Sequence, residues 1–412
     1  MENIKLNIKG GGKVYQITEF PSTKHYFTHD VWLDENRFYF MGFHPDNKIS
    51  REKIQNQNRN DSFYPEIHMQ WYLYDLKDQS STQITDLPHM QKFSLCLSKD
   101  KKLATFTAKN IIYLAKIAKD GEFVDCQKIV KFGGNVKLTD IPSFSLDSKY
   151  LYFIVGDKDC TFTELLRLNL KKKSLKALHR PPKKFWICHT LCNPEKPHTL
   201  TIARIKIKKP WKFKECKHRI WLIKDESLHD YDMRVKTYPL TIRKGLGKKS
   251  KHGGLFASGK VGWKANKVDI QSLYKNHFRE RITHESWFWD GQNILFVSRP
   301  DKLKILNIKT KKDTTVAEGA AFWHAGASFQ GDKIIADTGV SEKFRDGLWL
   351  IHLNSAKEKN HIHQRIQKVC KTTLNPNYQE AHPHPSFSPD GKLVLFNSII
   401  SGDTYIHSVR IR

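Results

Sequence analysis

Nowhere in its 412 residues does the chain run 18 consecutive apolar residues, so it offers no candidate for a membrane-spanning helix. It also lacks an apolar leader. The opening MENIKLNIKGGGKVYQIT is polar and basic, and the expected location is the cytoplasm. Cysteines are few: seven (96, 126, 160, 188, 192, 216 and 370), odd in number and scattered. Only Cys188 and Cys192 are close, and no CxxC pair exists, which argues against a zinc ribbon or a dithiol redox centre. Helical periodicity is almost absent. Acidic residues are outnumbered by basic ones, 42 to 70, for a net charge of +28. What the chain does have is 39% apolar and 12% aromatic residues, enough for a large core and too much for a disordered chain.

Self-similarity organises that content. An apolar stretch, a tight turn with Asp or Gly and an alternating strand recur as FSPDGKLVLFNS (Phe387), LDENRFYFMG (Leu33), LSKDKKLATFT (Leu97) and FSLDSKYLYFI (Phe144). Further copies are WFWDGQNILFVS (Trp287), SFQGDKIIADT (Ser328) and a weaker CNPEKPHTLTIA (Cys192), which makes seven. Most are followed by a further strand, as in WYLYDLKDQSSTQIT from Trp71 or KLKILNIKTKKDTTV from Lys302. Each unit reads as four short antiparallel strands. A sheet of that size cannot bury both faces alone, so the units must stack around an axis. The fold class expected is all-β, a seven-bladed β-propeller spanning residues 1–412 as one domain.

The last copy ends at YIHSVRIR without an outermost strand, while KVYQIT at 13–18 is an orphan that matches the Gln-Ile-Thr ending of blade one. Residues 13–18 are therefore expected to supply the fourth strand of blade seven and close the ring. Two stretches break the spacing. Residues 44–66 read as a polar surface loop in blade one, and 237–280, rich in Lys and Gly, as a basic insertion before blade five. Residues 201–280 hold 21 Lys and Arg against 7 Asp and Glu, half of the chain's surplus. So strong a positive balance points to an acidic partner. Without a stacking pattern or a nucleic-acid module, nucleic acid is disfavoured.

Histidines stand just ahead of the turn motif in several blades: His284 in THESWFWDG, His324 in FWHAGASFQGD, and His382 and His384 in QEAHPHPSFSPDG. His189 holds a similar place in blade four, and His25 and His29 precede the first turn. The innermost strands line a propeller's channel, so imidazoles from different blades are aimed at one axis. On a strand, i and i+2 share a face, which turns His382 and His384 the same way, with Pro383 and Pro385 restricting the backbone. Gln379 adds an oxygen. Imidazoles plus an amide oxygen suit Mn²⁺, Zn²⁺, Fe²⁺ or Ni²⁺, and the sequence does not choose among them.

QxxHPHPxFSPDG near the C-terminus, the THExW-type segment, the WH segment between and the upstream RIWLI strand together resemble the oligogalacturonate lyase family. KVYQITEFPSTKHYFTHDVWLDENRFYF is similar to that family's opening. The resemblance implies a cytoplasmic seven-bladed propeller enzyme of pectin breakdown that acts on acidic oligogalacturonates. It implies His324, Gln379, His382 and His384 as ligands of a divalent metal, usually Mn²⁺, with His284 as catalytic base and Arg219 as the substrate-binding arginine. The 65 residues between Arg219 and His284, and the strong positive charge, depart from the family's pattern and leave substrate identity open. Two other readings stand beside it: a lyase on a different polyuronate, and a non-catalytic TolB-like propeller that binds a protein. Few carboxylates stand in pairs at blade starts, which speaks against a two-carboxylate glycosidase.

Overall fold

The computed structural model describes residues 13–43, 66–67, 69–157, 161–183, 185–209, 212–224, 227–229, 281–299, 301–338, 347–353, 366–373 and 381–411. Their regular elements are all β-strands, arranged in seven small antiparallel sheets. No helix among the described residues is long and apolar enough to cross a membrane. The expected seven-bladed propeller is the fold.

All seven repeats fall on the hairpin between a blade's innermost strand and its second strand, and the turn chemistry explains why they look alike. In blades two, three and seven a serine hydroxyl donates to the carboxylate two residues on: Ser98 to Asp100, Ser145 to Asp147 and Ser388 to Asp390, at 2.6–2.7 Å. The same oxygen accepts the N–H of the residue that opens the next strand, Leu103, Tyr150 or Leu393. Asp290 does both jobs in blade five through its own carboxylate. The residue after the turn's third position is left-handed, which suits Gly291, Gly331 and Gly391 (φ 60°, 72° and 69°), while Lys101 and Ser148 adopt it at some cost.

Burial falls from the axis outwards. The second strands are almost wholly buried, as in Leu393–Ile400 and Tyr150–Asp157, because a blade is covered on both faces by its neighbours. The outer strands Phe123–Lys131 and Ser80–Gln83 are largely exposed.

Ring closure is as expected. Val14–Gln16 pairs antiparallel with Asp403–Arg410, Val14 opposite Val409 and Gln16 opposite His407. Thr18 extends the seam by accepting the Ile406 N–H at its hydroxyl. Behind it, Phe38, Phe40 and Tyr72 of blade one pack on Leu395 and Ile406 of blade seven. Each buried Phe or Leu in that layer contributes roughly 1.5–3 kcal/mol, so first and last blades are joined by a core as well as a strand. The basic 237–280 segment and the polar stretch up to residue 65 lie outside the described residues. Glu66, the last residue of the expected loop, instead begins the strand Glu66–Ile67 of blade two's sheet, paired with Met90–Gln91.

Candidate metal centre and channel mouth

One backbone N–H closes each of the seven turns: that of Leu33, Ser98, Ser145, Asn193, Phe288, Ser328 and Ser388. Four residues before these lie His29, Ser94, Ile141, His189, His284, His324 and His384. Five of seven equivalent positions are thus histidine, too many for independent incidental residues.

The backbone there is bent for the purpose. The ladder slips between Cys188 and Leu191, between Thr283 and Ser286, and between Phe322 and Ala325. Such bulges re-aim a side chain out of the regular alternation. His189, His284 and His384 have φ of 57°, 55° and 44°. For a residue with a Cβ this conformation is uncommon and costs of order 1–3 kcal/mol, a strain that persists where the surroundings impose it. The His-Pro-His segment is not a strand; the innermost strand of blade seven begins only at Ser386. His382 and His384 therefore converge through an irregular segment with left-handed backbone at His384 rather than through strand alternation, because neither proline can donate an N–H to a ladder.

His324, His382 and His384 each offer a ring nitrogen, and these atoms all lie within 4.8 Å of one another in a buried cluster. Ring centroids are 4.3 Å apart for His324 and His384, and 5.5 Å for His324 and His382. Asp337 fixes the tautomer of His324: its carboxylate accepts from Nδ1 at 2.8 Å and from the His324 backbone N–H at 2.7 Å. That leaves Nε2 as a lone-pair donor, buried and without a hydrogen-bond partner among the described residues. A carboxylate behind an imidazole whose far nitrogen is bare is the usual arrangement at a metal. Asn397 holds the His382 carbonyl at 3.0 Å and accepts the Lys24 backbone N–H at 2.7 Å, tying the His-Pro-His segment to the N-terminal segment. Burial, then the neighbouring His324 and His382, push His384 well below the usual imidazole range, so it is neutral, as a ligand must be. The residues fit a divalent cation. Gln379 lies outside the described residues.

His284 is beside this cluster, its ring 4.6 Å from that of His324 and its Nδ1 3.0 Å from the Thr283 hydroxyl. Burial first, then His324, Arg299, His189 and Arg219, lower its pKa far below the usual value. Arg219, on the third strand of blade four (Lys212–Lys224), is also at the mouth, its Nε donating to the Glu285 carboxylate at 3.0 Å. Sequence reasoning missed Glu285, though it directly follows His284. The carboxylate is fully buried and also accepts from His189 Nδ1 at 2.8 Å. Burial alone would raise its pKa; Arg219 and then His189 more than reverse that, so it stays ionised well below the carboxylate range. Lys24 was missed as well. Burial, partly opposed by Asp30, brings this amine down to about 7. The rings of Tyr26 and Phe27 pack against His384 and His324, at 4.8 and 5.2 Å, and wall the cluster from water.

Comparisons with known proteins bear on the fold. No protein-family profile matches the chain. An oligogalacturonide lyase of Pectobacterium atrosepticum is 26% identical over 149 residues, 32% of this chain and 37% of its own length. An oligogalacturonate lyase of Dickeya dadantii is 21% identical over 374 residues, 83% of each chain. Among solved structures, an oligogalacturonate lyase from Vibrio parahaemolyticus aligns with a TM-score of 0.68 at 17% identity, covering 97% of this chain and 94% of its own. An oligogalacturonate lyase in complex with manganese aligns equally well, TM-score 0.68 at 16% identity, covering 98% and 94%.

Proposed function

We propose, from this kinship with the oligogalacturonate lyases and from the channel mouth, that the protein is a metal-dependent lyase that cleaves short oligogalacturonates by β-elimination. The observation that carries the reading is the convergence of His324, His382 and His384 on one buried point, with His284 alongside and a guanidinium at the same mouth. His324, His382 and His384 would hold the ion, with Gln379 as the further ligand the family resemblance implies, and Mn²⁺ is the first metal to test. A bound divalent cation supplies Lewis-acid stabilisation to the uronate carboxylate beside the carbon that loses its proton.

The rest falls to the chain. His284 takes the C5 proton. Being neutral it can accept one, and Nε2 is the accepting atom in the tautomer whose Nδ1–H donates to the Thr283 hydroxyl. The electron pair of the C5–H bond becomes the C4–C5 double bond as C4–O4 breaks, the departing O4 takes a proton from solvent to become a hydroxyl, and His284 returns its proton to solvent. Arg219 binds a uronate carboxylate. Tyr26 and Phe27 keep water from the imidazole cluster, where bulk solvent would compete for the ion. Digalacturonate incubated with the protein and Mn²⁺ is expected to yield an unsaturated product absorbing in the near ultraviolet, at a rate that collapses with chelator. Absence of product on digalacturonate and longer oligomers overturns the reading.

A further inference from the structure

Blade four contributes two basic side chains to the channel mouth, and both reach a carboxylate of blade five. Arg219 directs Nε to Glu285 Oε2 at 3.0 Å and Nη2 towards Oε1 at 3.5 Å, while His189 Nδ1 meets Oε1 at 2.8 Å. Their side chains are 10% and 14% exposed, and that of Glu285 is 0% exposed. All three atoms meet one carboxylate, and that carboxylate belongs to the innermost strand of blade five, next in sequence to His284. The ladder slip between Thr283 and Ser286 is what allows two consecutive residues, His284 and Glu285, to serve the same mouth. A two-point contact on the Nε edge sets the plane of a guanidinium, which a single contact cannot do. The carboxylate also holds a His189 proton on Nδ1, which fixes the orientation of the ring. His189 is itself at one of the five equivalent histidine positions, and its ring is 6.0 Å from that of Tyr26, which packs on His384.

We propose that Glu285 is a positioning residue of the elimination reaction. It fixes Arg219 and His189 of blade four at one distance and angle from the base on blade five, and it makes His189 a further group turned to the substrate. This rests on the elimination reading above. A carboxylate facing an anionic sugar is unfavourable for binding as such, since it cancels charge that Arg219 would otherwise offer. Its retention at the mouth makes sense if orientation matters more than attraction. The consequence is a split: losing Glu285 harms the chemical step and leaves binding intact or tighter.

The test compares the Mn²⁺-loaded wild type with Glu285→Gln, Glu285→Asp, Arg219→Lys and the double variant Glu285→Gln/Arg219→Lys on digalacturonate. Glu285→Gln should lose about 10²-fold in kcat, with KM unchanged or lower. Glu285→Asp, which keeps the charge, should recover part of that loss. The double variant should lose less than the product of the two single losses, because Glu285 acts in part through Arg219. Independently of turnover, the slowly exchanging Nδ1–H proton of His189 should be visible by NMR in the wild type and lost in Glu285→Gln. Multiplicative losses in the double variant, a raised KM, or Glu285→Gln within twofold of wild type overturns the proposal. If Glu285→Gln fails to fold, Glu285→Asp carries the same test: its kcat must fall with KM steady, and equal kcat overturns it. A wild type inactive on every uronate oligomer defeats the elimination reading instead, and the NMR comparison still decides whether Glu285 orients His189.

Discussion

The two halves of the channel mouth are built from the same structural position and to opposite ends. On blades six and seven, His324, His382 and His384 are 0–4% exposed, and the carboxylate of Asp337 stands behind His324 rather than among the rings. On blades four and five, Arg219 and His189 surround a carboxylate and remain open at the edge. One half gathers imidazole nitrogens, as a cation requires; the other gathers donors around a fixed anion, as an anionic ligand requires. His284 stands at the seam. The lesson is that a propeller repeats a backbone position, and the chemistry at that position depends on what lies behind it. Asp337 makes an imidazole into an electron donor, and Glu285 makes another into part of an arginine clamp. Among the described residues, Arg219 is matched by Glu285 and Lys24 is buried.

Substitutions should separate the halves. The largest effect is expected for His382→Ala, which removes a ligand: bound Mn²⁺ and turnover are both lost, measured by metal analysis and the ultraviolet assay. His284→Ala should lower kcat by about 10²–10⁴ and leave the metal content as in wild type. If it emptied the metal site as well, the seam would not exist. Asp337→Asn is intermediate. With only the second nitrogen of His324 affected, metal affinity should weaken about 10–100-fold, and excess Mn²⁺ should restore most of kcat. If Asp337→Asn titrates like wild type, the carboxylate is not orienting His324.

The smallest effect concerns pH. Glu285 has a folded pKa below its unfolded value of about 4.3. The stability its ion pairs contribute is therefore present above that value and drains away as pH falls towards the folded pKa. The thermal midpoint of wild type should drop between about pH 5 and pH 3, and by less in Glu285→Gln. An equal drop in both would mean that the clamp is not the acid-sensitive element.

Much of the fold was legible because it rests on local turn chemistry. The Ser-x-Asp and Asp-Gly turns recur in sequence, and the missing last strand of blade seven matched the orphan at Val14–Gln16. His324 and His384 were legible for the same reason, being tied by spacing to those turns. The His-Pro-His pair was found by a wrong route, since it is an irregular segment, left-handed at His384, and not a strand; both geometries bring i and i+2 together. Glu285, Asp337 and Lys24 were not legible. Each matters through a contact with a residue far away in the chain or through complete burial, and a carboxylate next to a histidine looks in sequence like any surface Glu. His29 was noticed, but its equivalence to His189 and His284 emerges only when the turn amides are superposed. Burial and the nearby His189 push His29 down to about 3, so it adds a neutral ring to the channel.

The most direct measurement is calorimetric titration of Mn²⁺ into metal-stripped protein, with His382→Ala and His284→Ala in parallel. One site per chain, abolished in His382→Ala and unchanged in His284→Ala, is the predicted result. Undiminished binding by His382→Ala, or no saturable binding by the wild type, would contradict the claim that imidazoles of blades six and seven converge to hold a cation.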